Sequence, residues 1–166
     1  MAATVPLLKK IRTLCAKVET TPGTAIAVTG TDGAFRVYNA QIQPNIEFEK
    51  REQQGMMTNG TGVTGALRGT ATFSFDMYGG ATGGAVPTWA SVFLPACGYV
   101  LTTGTFAISS LHPEAAGAAT KTLTIGLFEN GRYKQIHGAM GSFSLALVPG
   151  KVGRIDFTFI GAWDEV

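Results

Sequence analysis

Few residues in this chain have the type and spacing that chemistry requires. Gly60, Gly62 and Gly65 match G-x-G-x-x-G, a spacing that normally turns a strand into a helix whose N-terminus holds a pyrophosphate. Here a polar stretch precedes the glycines and a strand-like pattern follows them, so the phosphate-binding helix is missing. His112 and His137 are the two histidines, and neither has a second metal-type ligand at a suitable interval. Glu47 and Glu49 alternate on a strand-like run and so share a face, as a carboxylate pair would. Exposed strand carboxylates are the commoner occurrence, and they are read as such. Ser142, in HGAMGSFS, lacks the strand-to-helix elbow that exposes a nucleophile. Asn59-Gly60-Thr61 is a glycosylation sequon, idle without a secretory signal. The sequence thus predicts no active site, no metal, no cofactor and no enzymatic activity.

The composition points elsewhere. The chain has 166 residues, the size of one domain, and such a length buries roughly two thirds of its unfolded surface. Charged residues make up only 14% and there are 22 glycines, against roughly 25% charge in ordinary soluble proteins. A charge-poor surface is hazardous for a free monomer, so much of it is expected to be covered by other copies. The formal net charge is +2 and no long basic run exists, which is not the footprint of a nucleic-acid-gripping protein. Cys15 and Cys97 lie in no CxxC or Cys/His cluster; a disulfide between them stays open, with a reducing cytosol preferred. Lys9, Lys10 and Arg12 precede no apolar stretch of secretory length, and no run is long enough to span a membrane. The expectation is a protein made and used in the cytoplasm, unless it leaves inside a particle.

These few polar groups must be held by a mainly β framework. Residues 7–18 carry Leu7, Leu8, Ile11, Leu14, Cys15 and Val18 at helical spacing, yet the segment also suits an extended chain. Thr21-Pro22-Gly23 breaks it. Residues 35–49 read as strand, interrupted at Pro44. Residues 50–66, KREQQGMMTNGTGVTGA, form a long polar, glycine-rich loop, a length uncommon in a compact domain unless it has a task. Over 67–78, Leu67, Ala71, Phe73, Phe75 and Met77 face one way; Arg68, Thr70, Thr72, Ser74 and Asp76 face the other. Pro87 opens a short helix over 87–97, with Trp89, Phe93, Leu94 and Cys97 on one stripe, Gly98 as its cap and Pro95 as a kink or stop. Residues 105–111 make one strand. Residues 121–128 and 132–138 pair around Asn130-Gly131, and 142–148 pairs with 154–162 around Pro149-Gly150. One β-rich domain with a single helix packed on its sheet results.

Four segments in order, AKVETTPGT, LRGTATFSF, AVPTWASVFLPACGY and HGAMGSFSLALVPGKVGRIDFTFIGAW, resemble the tail tube (major tail) proteins of bacteriophages with long, non-contractile tails. The resemblance covers about residues 14–163. It implies a single tail tube domain over 1–166: a β-sandwich or barrel-like fold with one short α-helix, an N-terminal arm (1–24), a long inter-ring loop (about 50–66) and C-terminal hairpins (121–163). It further implies a structural virion protein whose homohexameric rings stack into the hollow tube through which DNA passes. The implied partners are other copies of the chain, tape-measure, terminator and distal tail proteins, and double-stranded DNA in transit without specific binding, with no membrane contact.

The residues suit that assembly. Unlike, complementary surfaces are needed for head-to-tail growth, and a permanent interface hides surface that need not be charged. Thr70, Thr72, Ser74, Asp76, Asp156 and Thr158 are candidate lumen residues, because a nearly cation-free wall would not hold phosphate. Lumen walls of the family are commonly acidic, and the +2 net charge leaves the lumen charge open. Arg51, Gln53, Gln54, Met56, Met57, Asn59 and Thr61 are the inter-ring loop candidates. Trp89, Phe93 and Cys97 are structural helix residues. A tail terminator or head–tail connector ring is the alternative within virion proteins. A carbohydrate-binding β-sandwich is the alternative outside it, although Tyr78, Tyr99 and Tyr133 are scattered rather than gathered in a platform.

Overall fold

A computed structural model describes residues 12–30, 32, 35–51, 60–80, 85–102, 105–108, 121–129 and 131–164. The elements run β1 (Arg12–Val18), β2 (Tyr38–Arg51), β3 (Gly60–Asp76), α1 (Thr88–Ala96), β4 (Tyr99–Thr102), β5 (Thr105–Ile108), β6 (Leu123–Glu129), β7 (Arg132–Ala146) and β8 (Arg154–Asp164). Among the described residues the protein is mainly β with one short helix, as its alternation predicts. One antiparallel sheet has the order β1-β6-β7-β8-β3-β2, and β4 with β5 forms a separate hairpin. Its end strands approach each other. Phe35 N–H donates to Leu14 O at 3.0 Å, and the Arg12 guanidinium donates to Ala40 O at 3.2 Å. The sheet therefore curls in a barrel-like way, with its apolar face inside.

That inner face is aromatic. Phe73 of β3 pairs with Phe157 of β8, and Phe75 and Phe159 lie beside them on the same buried face. Phe93 of α1 enters among them, its ring centroid 5.1 Å from that of Phe73 and 5.2 Å from that of Phe157. Leu14, Ile125, Leu127 and Ile136 extend the core across β1, β6 and β7. The helix stripe behaves as its spacing predicts: Trp89, Phe93 and Leu94 are buried and Cys97 is half-buried. The indole N–H of Trp89 donates to Tyr78 O at 2.9 Å, so the buried ring leaves no polar atom unpaired. Pro95 sits in the last turn, and Gly98 takes φ +85, the left-handed conformation that ends a helix without strain.

Several boundaries differ from the sequence expectation. Residues 12–18, whose spacing suits helix or strand, are strand, each position paired through its backbone with β6. Seven residues of the expected N-terminal arm thus form an integral strand, and residues 1–11 lie outside the described residues. Pro44 does not interrupt β2: it faces Gly69 on an edge strand, where its missing N–H can point away from the ladder. The described part of the expected loop 50–66 is strand. β2 continues through Arg51 and β3 begins at Gly60, so Arg51 and Thr61 lie in strands, whereas Gln53, Gln54, Met56, Met57 and Asn59 lie outside the described residues. Residues 132–138 and 142–148 are not two strands but the single β7, bent by a register shift between His137 and Met140, with Gly138 at φ +60. Leu67, Met77, Leu145 and Leu147 were expected on apolar faces, yet all four are exposed, because the sheet outruns the core at both ends.

Candidate assembly surfaces

Two surfaces and one buried cluster stand out. The first surface is the outer face of β7, β8, β3 and β2. Directly paired residues project from the same side of a sheet, so the ladder sorts this face into rows. Thr70 lies beside Ile160, Thr72 beside Thr158, Ser74 beside Asp156 and Asp76 beside Arg154. Ser142 continues the Thr158 row and Ser144 the Asp156 row. Gln43 and Gln41 of β2 extend the rows of Thr70 and Thr72. All six lumen candidates therefore share one face, and each is partly or well exposed. Sequence reasoning missed Gln41, Gln43, Tyr38 and Arg154, because β2 pairing and its bulge were not legible. Arg154 is held there: its guanidinium lies 4.8 Å from the centroid of the Tyr38 ring and 3.8 Å from Asp76. The Tyr38 hydroxyl donates to Asp76 at 2.9 Å, and that bond to a carboxylate pushes the phenol upward from its usual value.

The second surface is a protruding arm. β3 pairs with β8 only over Arg68–Asp76, whereas its pairing with β2 continues from Ile46–Leu67 to Arg51–Gly60. Residues 46–51 and 60–67 thus form a two-stranded ribbon beyond the six-stranded sheet. A bulge sets two residues of β3, Gly65 and Ala66, against Glu47, between the Ile46–Leu67 and Phe48–Thr64 pairs. Ile46, Val63 and Leu67 are exposed, and Phe48 is 60% exposed. The Phe48 ring lies over Gly62, where an added Cβ would come within 2.1 Å of it. Gly62 therefore serves the packing of the arm, and Gly60, Gly62 and Gly65 belong to a strand, not to a phosphate loop. Glu47 and Glu49 also belong to the arm; an added Cβ at Gly65 would meet Glu47 Cβ at 3.2 Å.

The buried cluster centres on Glu19, which is 3% exposed. Its Oε1 accepts from Gly138 N–H at 2.7 Å and from the Thr124 hydroxyl at 2.8 Å. Its Oε2 accepts from Gly23 N–H at 2.8 Å and from the Thr122 hydroxyl at 2.5 Å. Burial alone would raise this carboxyl; the four donors outweigh it and hold the group below its ordinary value. The sequence reading quoted AKVETTPGT without singling out Glu19. The available signal was a lone acid between a strand and a Thr-Thr-Pro-Gly turn in a charge-poor chain.

The remaining candidates are scattered. His137 Nδ1 lies 2.8 Å from Asp164 Oδ2 on the outer side of β7 and β8, without the alignment of a hydrogen bond. His112 lies outside the described residues, and Ser142 is on the open polar face. Both cysteines are free, Cys97 pushed up to about 12 by burial. A polar cleft at the seam between β1, β6 and β2 is lined by Arg12, Gln41, Gln43, Glu129 and Lys134. There Arg12 and Lys134 both pair with Glu129. Among the described residues no three His, Cys, Asp or Glu side chains gather as a metal site, and no helix is long and apolar enough to cross a membrane. No protein-family model matches the chain, and no curated protein matches it.

Proposed function

We propose that this chain is a structural virion protein, the subunit of a phage tail tube, whose rings stack head to tail around a channel for DNA. The observation that carries the reading is the arm. An isolated two-stranded ribbon is marginal in water, and this one also presents Phe48, Ile46, Val63 and Leu67 to solvent. Such an element becomes stable when a second copy covers it. The open face of β7, β8, β3 and β2 supports the same reading. Its rows of Thr and Ser carry Asp76 and Asp156, and Arg154 is engaged by Asp76 and Tyr38. A wall of this kind would let phosphate slide past rather than hold it. In this reading the arm reaches the neighbouring ring and the polar face lines the channel.

Negative-stain electron microscopy of the purified protein over a range of concentrations tests the proposal. Hollow tubes with an axial repeat are the expected result. Isolated rings that never stack would instead favour a terminator or connector, and a monomer at every concentration would overturn assembly altogether.

A further inference from the structure

The chain that follows β1 is fastened to the sheet by side chains rather than by a ladder. Residues 20–30 belong to no strand or helix, and all but Ile26 and Val28 are exposed. Gly23 N–H donates to the Glu19 carboxylate and to the Thr122 hydroxyl, and Ile26 N–H donates to the Thr124 hydroxyl at 3.2 Å. Lys17 of β1 lies 3.9 Å from Asp32 at the far end. A segment with so little buried apolar surface opens at lower cost than the core. Yet it covers something. Leu14 and Ala16 face the core, so Cys15 between them points to the outer side of β1. Among the described residues, Cys15 and Val28 are the two buried apolar side chains outside the core cluster. Cys15 is fully buried although its partner on β6 is Gly126, which offers no side chain. The Tyr133 ring rests on Gly126 from one side. The span from Ile26 to Asp32, with Val28 in its middle, is tied at Thr124 and Lys17, which are register partners two positions from Cys15. Burial, and then the Asp32 carboxylate, push the Cys15 thiol upward, which places Asp32 within electrostatic reach of it.

We infer that residues 20–30 form a strap, latched by Glu19, that lifts off the outer side of β1 and β6 while the sheet stays folded. Glu19 is the latch because it accepts from Gly23 on the strap, from Thr122 and Thr124 at β6 and from Gly138 at the bend of β7. Lifting the strap uncovers Cys15 and leaves the aromatic core untouched, since that core lies on the other face. The inference goes beyond the tail tube proposal and does not depend on it.

Cys15 itself reports the opening. In the full chain carrying Cys97→Ala, Cys15 is the sole thiol, and its reaction with an aromatic disulfide reagent is timed at neutral pH, below the urea unfolding transition. Glu19→Gln keeps the latch's shape but not its charge, and should speed the reaction about 30-fold. The rate should hardly change with urea, because a lifting strap exposes little surface. Val28→Ala, which removes the strap's buried side chain, should also speed it, and decides the matter if Glu19→Gln does not fold. Phe93→Leu, a change in the core, should lower the melting temperature without speeding the reaction. A reaction that rises with urea as steeply as global unfolding would overturn the strap, because Cys15 would then be reached only through the unfolded chain. An unchanged rate in both folded strap variants would overturn it too, leaving Tyr133 as the whole cover.

Discussion

Glu19 accepts the backbone N–H of Gly138 at 2.7 Å, joining positions 119 residues apart in the chain. With Thr122, Thr124 and Gly23 as further donors, this carboxylate fastens residues 19–26 across β6 and the bend of β7. Its folded-state value is lowered from 4.5, so its contribution is complete above that value. As pH falls through the lower folded value, protonation removes it. Glu19→Gln should cost roughly 2–3 kcal/mol at neutral pH, since two amide and two hydroxyl donors lose a charged acceptor. Thermal unfolding as a function of pH checks this: the gap between wild type and variant should be full at neutral pH and narrow as pH falls below 4.5.

Phe93 fills the centre of the aromatic cluster and is fully buried. Phe93→Ala should destabilise the monomer by roughly 3–5 kcal/mol, measured by denaturant unfolding. A loss below about 1 kcal/mol would contradict the packing described.

The arm lies outside the β3–β8 ladder, so removing residues 53–64 should leave the folded subunit intact. Unfolding midpoints should shift little, whereas sedimentation should show that polymers no longer form. Normal tubes from the shortened chain would remove the arm from the assembly mechanism.

Thr72 and Thr158 are direct neighbours on the open polar face. Replacing both with Lys should leave folding and assembly in place, because Thr158 is exposed and Thr72 half-exposed. If this face lines the channel, virions carrying the change should eject DNA more slowly, read by dye-reported release. Unchanged ejection would move the face to an outer wall.

Gly141 is a backbone-contact position: an added Cβ would lie 2.1 Å from Thr158 O. Gly141→Ala should therefore distort the β7–β8 ladder and cost roughly 1–3 kcal/mol, seen as a lower melting temperature. Gly30, with open space around it, should accept Ala with little change.

By itself the sequence determined what depends on neighbours in the chain. The alternation of Phe73 and Phe75 with Thr72 and Ser74 sets the two faces of β3, since successive side chains point to opposite sides. Gly131 and Pro149-Gly150 mark the turns between β6, β7 and β8, and the stripe through Trp89 and Phe93 sets α1. The scarcity of charge was equally plain. Only the tertiary structure decided what depends on distant partners. Residues 12–18 suit helix or strand until β6 pairs with them. Gly62 and Gly65 read as loop until Phe48 and Glu47 are seen lying on them. Glu19 is an ordinary acid in the chain, and it becomes a buried anchor once four donors from three separate segments converge on it. Leu67 and Leu147 carry the same apolar pattern as the core residues. Their exposure follows from where the sheet outruns the helix, a matter of length and register that periodicity does not encode.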